Sequence, residues 1–339
     1  MLPTDLLRWE AGRLAEAALA DAAPDLAGPH HEEVEAGADE AIRTGGAVLL
    51  RLARVAVGRY VRGGGGHQHA GHQARGLLSD DELLLLAEVL EHTLQAAEGL
   101  ARGLMLDRMH GLAKAELGGA ARESDDFAAL CSTLTRDAMR LHEGAELGRF
   151  SHDFFRLLLR ALATDPKPGA PALARRALTL AVTTSQELLA KVQDAIAERI
   201  LTGRVVGGPK AVSEILDLAG VSVRNSGYAE AVFRTNYMEH FREQTQSDLS
   251  QSTDTFPVWR YCNPRDVRSR PLHAAHAQEP TCYYPSTVAF SYVRGTEPED
   301  VINCRCLPAP IDRRTWSARK AKGARLADGY EEPAAGVLG

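Results

Sequence analysis

The chain holds five cysteines, and four of them, Cys262, Cys282, Cys304 and Cys306, fall in its last quarter. Thiolates and imidazoles are the soft donors that hold zinc. Cys304 and Cys306, with Cys262, Cys282, His273 or His276, therefore form a candidate structural zinc site. The Cys-x-Cys pair is tighter than the Cys-x-x-Cys spacing usual among zinc ligands. A second reading is a pair of half-buried thiols flanking Arg305. A third is a Cys262–Cys282 disulfide, formed only outside a reducing cytosol. Cys131 sits in a Leu-rich stretch and reads as a small buried hydrophobe.

Between these cysteines lies dense charge. Asp266, Arg268, Arg270 and His273 follow closely on Trp259 and Tyr261. Arg forks on carboxylates would stiffen a small, weakly hydrophobic module. The same Asp, Arg and His could instead serve a nuclease or an effector-type enzyme. Further on, Arg313, Arg314, Arg319, Lys320, Lys322 and Arg325 place six basic residues in thirteen. Such a patch could touch DNA phosphates or form a solvated tail.

Other motifs carry less. Gly63-Gly64-Gly65-Gly66-His67-Gln68-His69-Ala70-Gly71-His72 reads as a flexible Gly/His loop over 62–76, although its histidines could meet a metal. Gly203 to Ala211 resembles a phosphate-binding loop at a glance. Pro209 interrupts it before Lys210, and Ala211 replaces the hydroxyl that would hold magnesium. There is no metalloprotease HExxH and no GxSxG nucleophile elbow. No cofactor other than zinc is expected.

The elements that must position these residues are mostly helical. Ala and Leu are abundant and aromatics are 6% of the chain. That balance favours helix, because Ala and Leu lose least on entering one. Residues 1–61 suggest two helices broken at Gly28-Pro29-His30-His31. Ser79-Asp80-Asp81-Glu82 has the form of a capping box. After it, Leu83, Leu86, Leu90, Leu94, Ala97, Ala101 and Leu104 repeat at gaps of three and four. The spacing predicts one long helix continuing toward Leu117, then further helix over 125–163. Asp165 to Pro171 carries three prolines and reads as a linker. Helices are expected over 172–202, 210–219 and 228–250. Beyond 255 the helical period fades, and Val258–Tyr261, Thr287–Phe290 and Ser291–Val293 read as short strands.

The expected fold is therefore mainly α with a small C-terminal α+β module and long helices in the N-terminal half. The expected divisions are a helical, docking or oligomerising domain at 1–165, a second domain at 172–310 and a basic, flexible tail at 311–339. A formal net charge of −6 gives no bulk signal for nucleic acid. No apolar run reaches the roughly 20 residues that span a bilayer. The N-terminus has no basic region before an apolar stretch, so the chain reads as made in a cytoplasm.

The order of features over residues 175–310 resembles the phage head morphogenesis domain of the Mu F-like minor head proteins. The residues that carry the resemblance are Arg234, Thr235, Trp259, Asp266, Arg270, His273, Asn303, Cys304, Arg305 and Cys306. The family's glycine after the histidine is replaced here by Ala274-Ala275-His276-Ala277-Gln278. The resemblance implies a non-enzymatic minor protein of a phage head, present in the virion near the portal. Its implied partners are the portal protein, other head or connector proteins and packaged DNA, and its implied role lies in head assembly or DNA delivery. Only residues 307–339 follow the last motif, too few for a fused effector domain.

Overall fold

The computed structural model describes residues 30–62, 76–118, 152–162, 171–204, 206–264 and 269–332. Helix α1 (His31–Ala41) passes through a π-helical segment (Ile42–Gly46) into α2 (Ala47–Arg62). Then come α3 (Asp80–Gly118), α4 (His152–Leu162), α5 (Ala172–Leu201), α6 (Pro209–Leu218) and α7 (Gly227–Gln251). The C-terminal part alternates: β1 (Val258–Cys262), α8 (Pro271–His276), β2 (Tyr283–Pro285), α9 (Phe290–Arg294), α10 (Pro298–Val301), β3 (Leu307–Ile311) and α11 (Arg313–Ala321). The chain is thus mainly helical, with long helices in its N-terminal half and one small antiparallel sheet near its C-terminus. The expectations for 1–29, the loop 63–75, most of 119–170, Cys131 and Asp266 lie outside the described residues.

Two compact units divide the chain. One gathers Ala36–Ala96 and Leu147–Tyr237, the other Met1–Glu35, Ala97–Glu146 and Met238–Gly339. The boundaries fall inside α3 and α7, not at the proline-rich segment that the sequence suggests as a linker. Each of these long helices supplies side chains to both units, so composition alone does not mark the division.

The first unit is an all-helical core. Its apolar centre joins Leu49, Leu52 and Val57 of α2, Leu83, Leu86, Leu90 and Leu94 of α3, Phe155 of α4, Leu178 and Leu188 of α5, Ile215 of α6 and Phe233 of α7. The helical period of α3 is therefore a packing period. Its start is capped as the sequence predicts: the Ser79 backbone N–H and hydroxyl both donate to Glu82, at 2.7 and 2.9 Å. Phe233 and Tyr237, one turn apart on α7, rest where α1 and the π segment present glycine. A Cβ on Gly45 would stand 2.1 Å from the Phe233 ring, and one on Gly37 would stand 2.0 Å from the Tyr237 hydroxyl. Gly45→Ala should therefore destabilise the chain by about 2 kcal/mol, the usual cost of overpacking a filled core. Urea denaturation followed by circular dichroism measures it.

The second unit is built on the sheet, in the order β2-β1-β3. Trp259 pairs with Tyr284 and Pro310, and Cys262 pairs with Leu307. Alternation along β1 divides its side chains between two cores. Trp259 and Tyr261 pack with Met105, Met109, Leu249, Phe290, Cys304 and Cys306. Val258 packs on the other face with Tyr283, Ile311, Trp316 and Leu326. Pro308 and Pro310 lie in β3, where an edge position tolerates residues that cannot donate to a ladder.

Three local expectations change. Thr287–Val293 forms no strand; Phe290, Val293 and Arg294 are buried at helical spacing in α9. β2 and β3 were not anticipated, because one is three residues long and the other carries two prolines. In place of a loose tail, Arg313–Ala321 is helical. Asp312 caps it by accepting from the Thr315 N–H at 2.8 Å, and Trp316 is buried against Tyr283, ring centroids 5.1 Å apart.

One buried carboxyl in this unit gives a pH prediction. Asp248 on α7 is 1% exposed and accepts from the Gln244 amide at 2.6 Å. Burial raises its pKa to about 7, opposed by Gln244 and Arg102 and aided by Glu98. The folded chain then holds this proton after the unfolded chain has lost it, so stability falls as pH rises from about 4 to about 7. Asp248→Asn keeps the Gln244 bond and removes the titration. Its advantage should be near zero at about pH 4 and reach about 3 kcal/mol at pH 7. Urea denaturation across that range checks the sign; an advantage that shrinks with pH contradicts it.

Candidate metal centre

Cys304 and Cys306 are presented by a short approach to β3. After α10, Asn303 adopts a left-handed conformation with φ 55°, which Asn tolerates better than most residues. The chain then extends, so side chains two apart share a face. Both thiols point inward, at 1% and 2% exposure. Helix α8 brings His273 to the same place: its Nδ1 stands 3.6 Å from each sulfur. One ligand atom from each of these three residues lies within 4.8 Å of the others, and all three residues are buried.

The surroundings hold this triangle from several sides. The other ring nitrogen of His273, Nε2, faces Asp300 Oδ1 at 3.5 Å. Gly295 leaves room for that carboxylate, since a Cβ there would stand 2.2 Å from Asp300 Oδ2. The Asn263 amide donates to Cys306 Sγ at 3.1 Å. Arg242 reaches in from α7 and donates to the Cys306 carbonyl at 2.8 Å and the Cys304 carbonyl at 2.5 Å. Its remaining nitrogen, and one from Arg294, meet Glu239 Oε1. Both guanidiniums lie over the Phe290 ring, at 5.7 and 5.8 Å. The Tyr261 hydroxyl lies against Cys306 in the buried core yet closes no hydrogen bond of good geometry.

Electrostatics follow from this placement. A hydrogen bond from Cys306 holds the Cys304 thiol down at about 3, against desolvation and with help from Arg242 and His273. The partner thiol, Cys306, is pushed up by Cys304 and by burial. The pair thus shares one proton, and the titration belongs to both sulfurs together. Arg242 is held in its charged form by Cys304, Glu239 and Cys306 although burial opposes the charge.

The other residues singled out from the sequence fall elsewhere. Cys262 and Cys282 are buried free thiols and do not join the His273, Cys304 and Cys306 cluster; burial raises the pKa of both. His276 faces the Tyr284 hydroxyl at 3.3 Å. Arg270 supports the cluster's approach by donating to the Ile302 carbonyl at 2.5 Å. Trp259 stacks on Tyr284, centroids 4.7 Å apart, and its indole N–H donates to the Val288 carbonyl at 3.0 Å. Arg234 belongs to the first unit, where it pairs with Asp39 at 2.6 Å; Thr235 lies in the same unit. Arg305 is partly exposed beside its two buried neighbours.

Of the basic run, Arg313 donates to the Asp254 carbonyl at 3.1 Å, Arg319 to the Tyr283 hydroxyl at 2.8 Å, and Lys320 pairs with Glu332 at 3.2 Å. Arg314, Lys322 and Arg325 are exposed. Sequence reasoning missed Arg242, Glu239 and Arg294. Their only signal was charge at helical spacing in an otherwise mixed stretch, which an exposed helix face shows equally well.

A separate cavity in this unit, about 40 Å³, is lined by His30, His31, Met105, Arg108, Phe241, Pro308 and neighbours. Small-molecule sites are typically about 300–1,000 Å³, so it has room for little beyond water. Compared with known proteins, the chain matches no family model, no curated protein and no solved structure.

Proposed function

We propose that this chain is a structural protein of a tailed-phage head, a minor component at the portal with no catalytic activity of its own. One observation carries the reading. His273, Cys304 and Cys306, three of the residues on which the Mu F-like resemblance rests, converge in a buried cluster whose approach is clamped by Arg242. Residues that act on a substrate need access to it, and these have 1–2% exposure. A role in architecture fits that burial. Head or connector proteins are the proposed partners, together with packaged DNA reached through Arg314, Lys322 and Arg325. The virion is the proposed location.

The test is co-expression of the full chain with the portal protein of the same gene neighbourhood. The chain should copurify with the portal through gel filtration, and the purified chain should leave single- and double-stranded DNA intact with magnesium present. A chain that ignores the portal and degrades DNA would overturn the reading and return attention to the Asp266–His273 stretch.

A further inference from the structure

We infer that His273, Cys304 and Cys306 bind a zinc ion through His273 Nδ1 and the two sulfurs. Zinc bonds to imidazole nitrogen at about 2.0–2.1 Å and to thiolate sulfur at about 2.3 Å. At a tetrahedral angle, nitrogen and sulfur on one ion must then stand about 3.6 Å apart. The His273 nitrogen stands 3.6 Å from each of the two sulfurs.

The groups around the three ligands agree. A zinc-bound histidine commonly directs its other ring nitrogen at a carboxylate, which fixes the ring and raises its basicity. His273 Nε2 faces Asp300 Oδ1 at 3.5 Å. The Asn263 amide donates to Cys306 Sγ, the contact expected of a sulfur carrying thiolate charge. Two thiolates balance the charge of the ion, so the loaded core buries no net charge from these ligands. A tetrahedral ion has one further position, and the buried Tyr261 hydroxyl lies beside Cys306. Zinc here would tie α8 to the strand that follows Cys306 in a unit with a small apolar core. The role is structural, because the ligands are buried.

The experiment uses the full chain, purified and exchanged into metal-free buffer. Elemental analysis should find about one zinc per chain. After chelator treatment, added cobalt(II) should give visible bands of tetrahedral intensity and a near-ultraviolet thiolate-to-cobalt band. His273→Ala keeps both sulfurs and should lower zinc affinity at least tenfold. Asp300→Asn leaves all three ligands in place and alters only the group facing His273 Nε2, so it should fold and still lose about 10- to 100-fold in affinity. Absence of zinc together with absence of the thiolate–cobalt band overturns the proposal. So does zinc that stays bound at full affinity in both variants, which would place the ion elsewhere, for example on His67, His69 and His72.

Discussion

Arg242→Met is expected to cost the chain about 3–5 kcal/mol. The guanidinium is 3% exposed and is donor to two buried carbonyls, those of Cys304 and Cys306. Leaving a buried acceptor without its donor costs about 1–3 kcal/mol each. Glu239 would keep Arg294 as a partner but lose the other half of its charge balance. Arg242→Lys should recover little. A single ammonium cannot reproduce a planar fork that meets two carbonyls and a carboxylate at once. Urea denaturation of both variants measures the loss. A cost below about 1 kcal/mol for the methionine variant would reduce the clamp to an ordinary surface ion pair.

Trp259→Ala is the second large effect, again about 3–5 kcal/mol. Trp259 is fully buried, stacks on Tyr284 and packs against Phe290 with centroids 5.5 Å apart. Truncation would open a cavity in a core made mostly of rings. It would also strand the Val288 carbonyl, which accepts from the indole N–H. Trp259→Phe keeps a ring in the stack and loses the hydrogen bond, so it should cost roughly 1–2 kcal/mol. The ratio of the two losses separates packing from hydrogen bonding.

The helical part of the fold was legible because its signals are local. The capping box at Ser79 and the three-four spacing from Leu83 to Leu104 each depend on residues within a turn or two. The small sheet was harder. β2 is too short to show alternation, and prolines disguise β3. The interruption at Gly45 and Gly46 was also hidden, since its reason is the Phe233 ring nearly 190 residues away. For the candidate site, the sequence offered six soft ligands, four cysteines and two histidines, and could not choose among them. The fold selects His273, Cys304 and Cys306 because the i, i+2 pair shares one face of an extended segment and α8 delivers the histidine. Cys262 and Cys282 are equally buried but lie outside that cluster.

Amide hydrogen exchange on the full chain, comparing wild type with Arg242→Met, tests the architectural role most directly. Exchange reports local opening, so it separates a part that holds structure from one that performs chemistry. The amides of β1, β2 and β3 should lose much of their protection, while those of α5 and α6 in the other unit keep theirs. Unchanged protection in the sheet would contradict it, and would mean that the buried Arg242 clamp does not hold the C-terminal unit together.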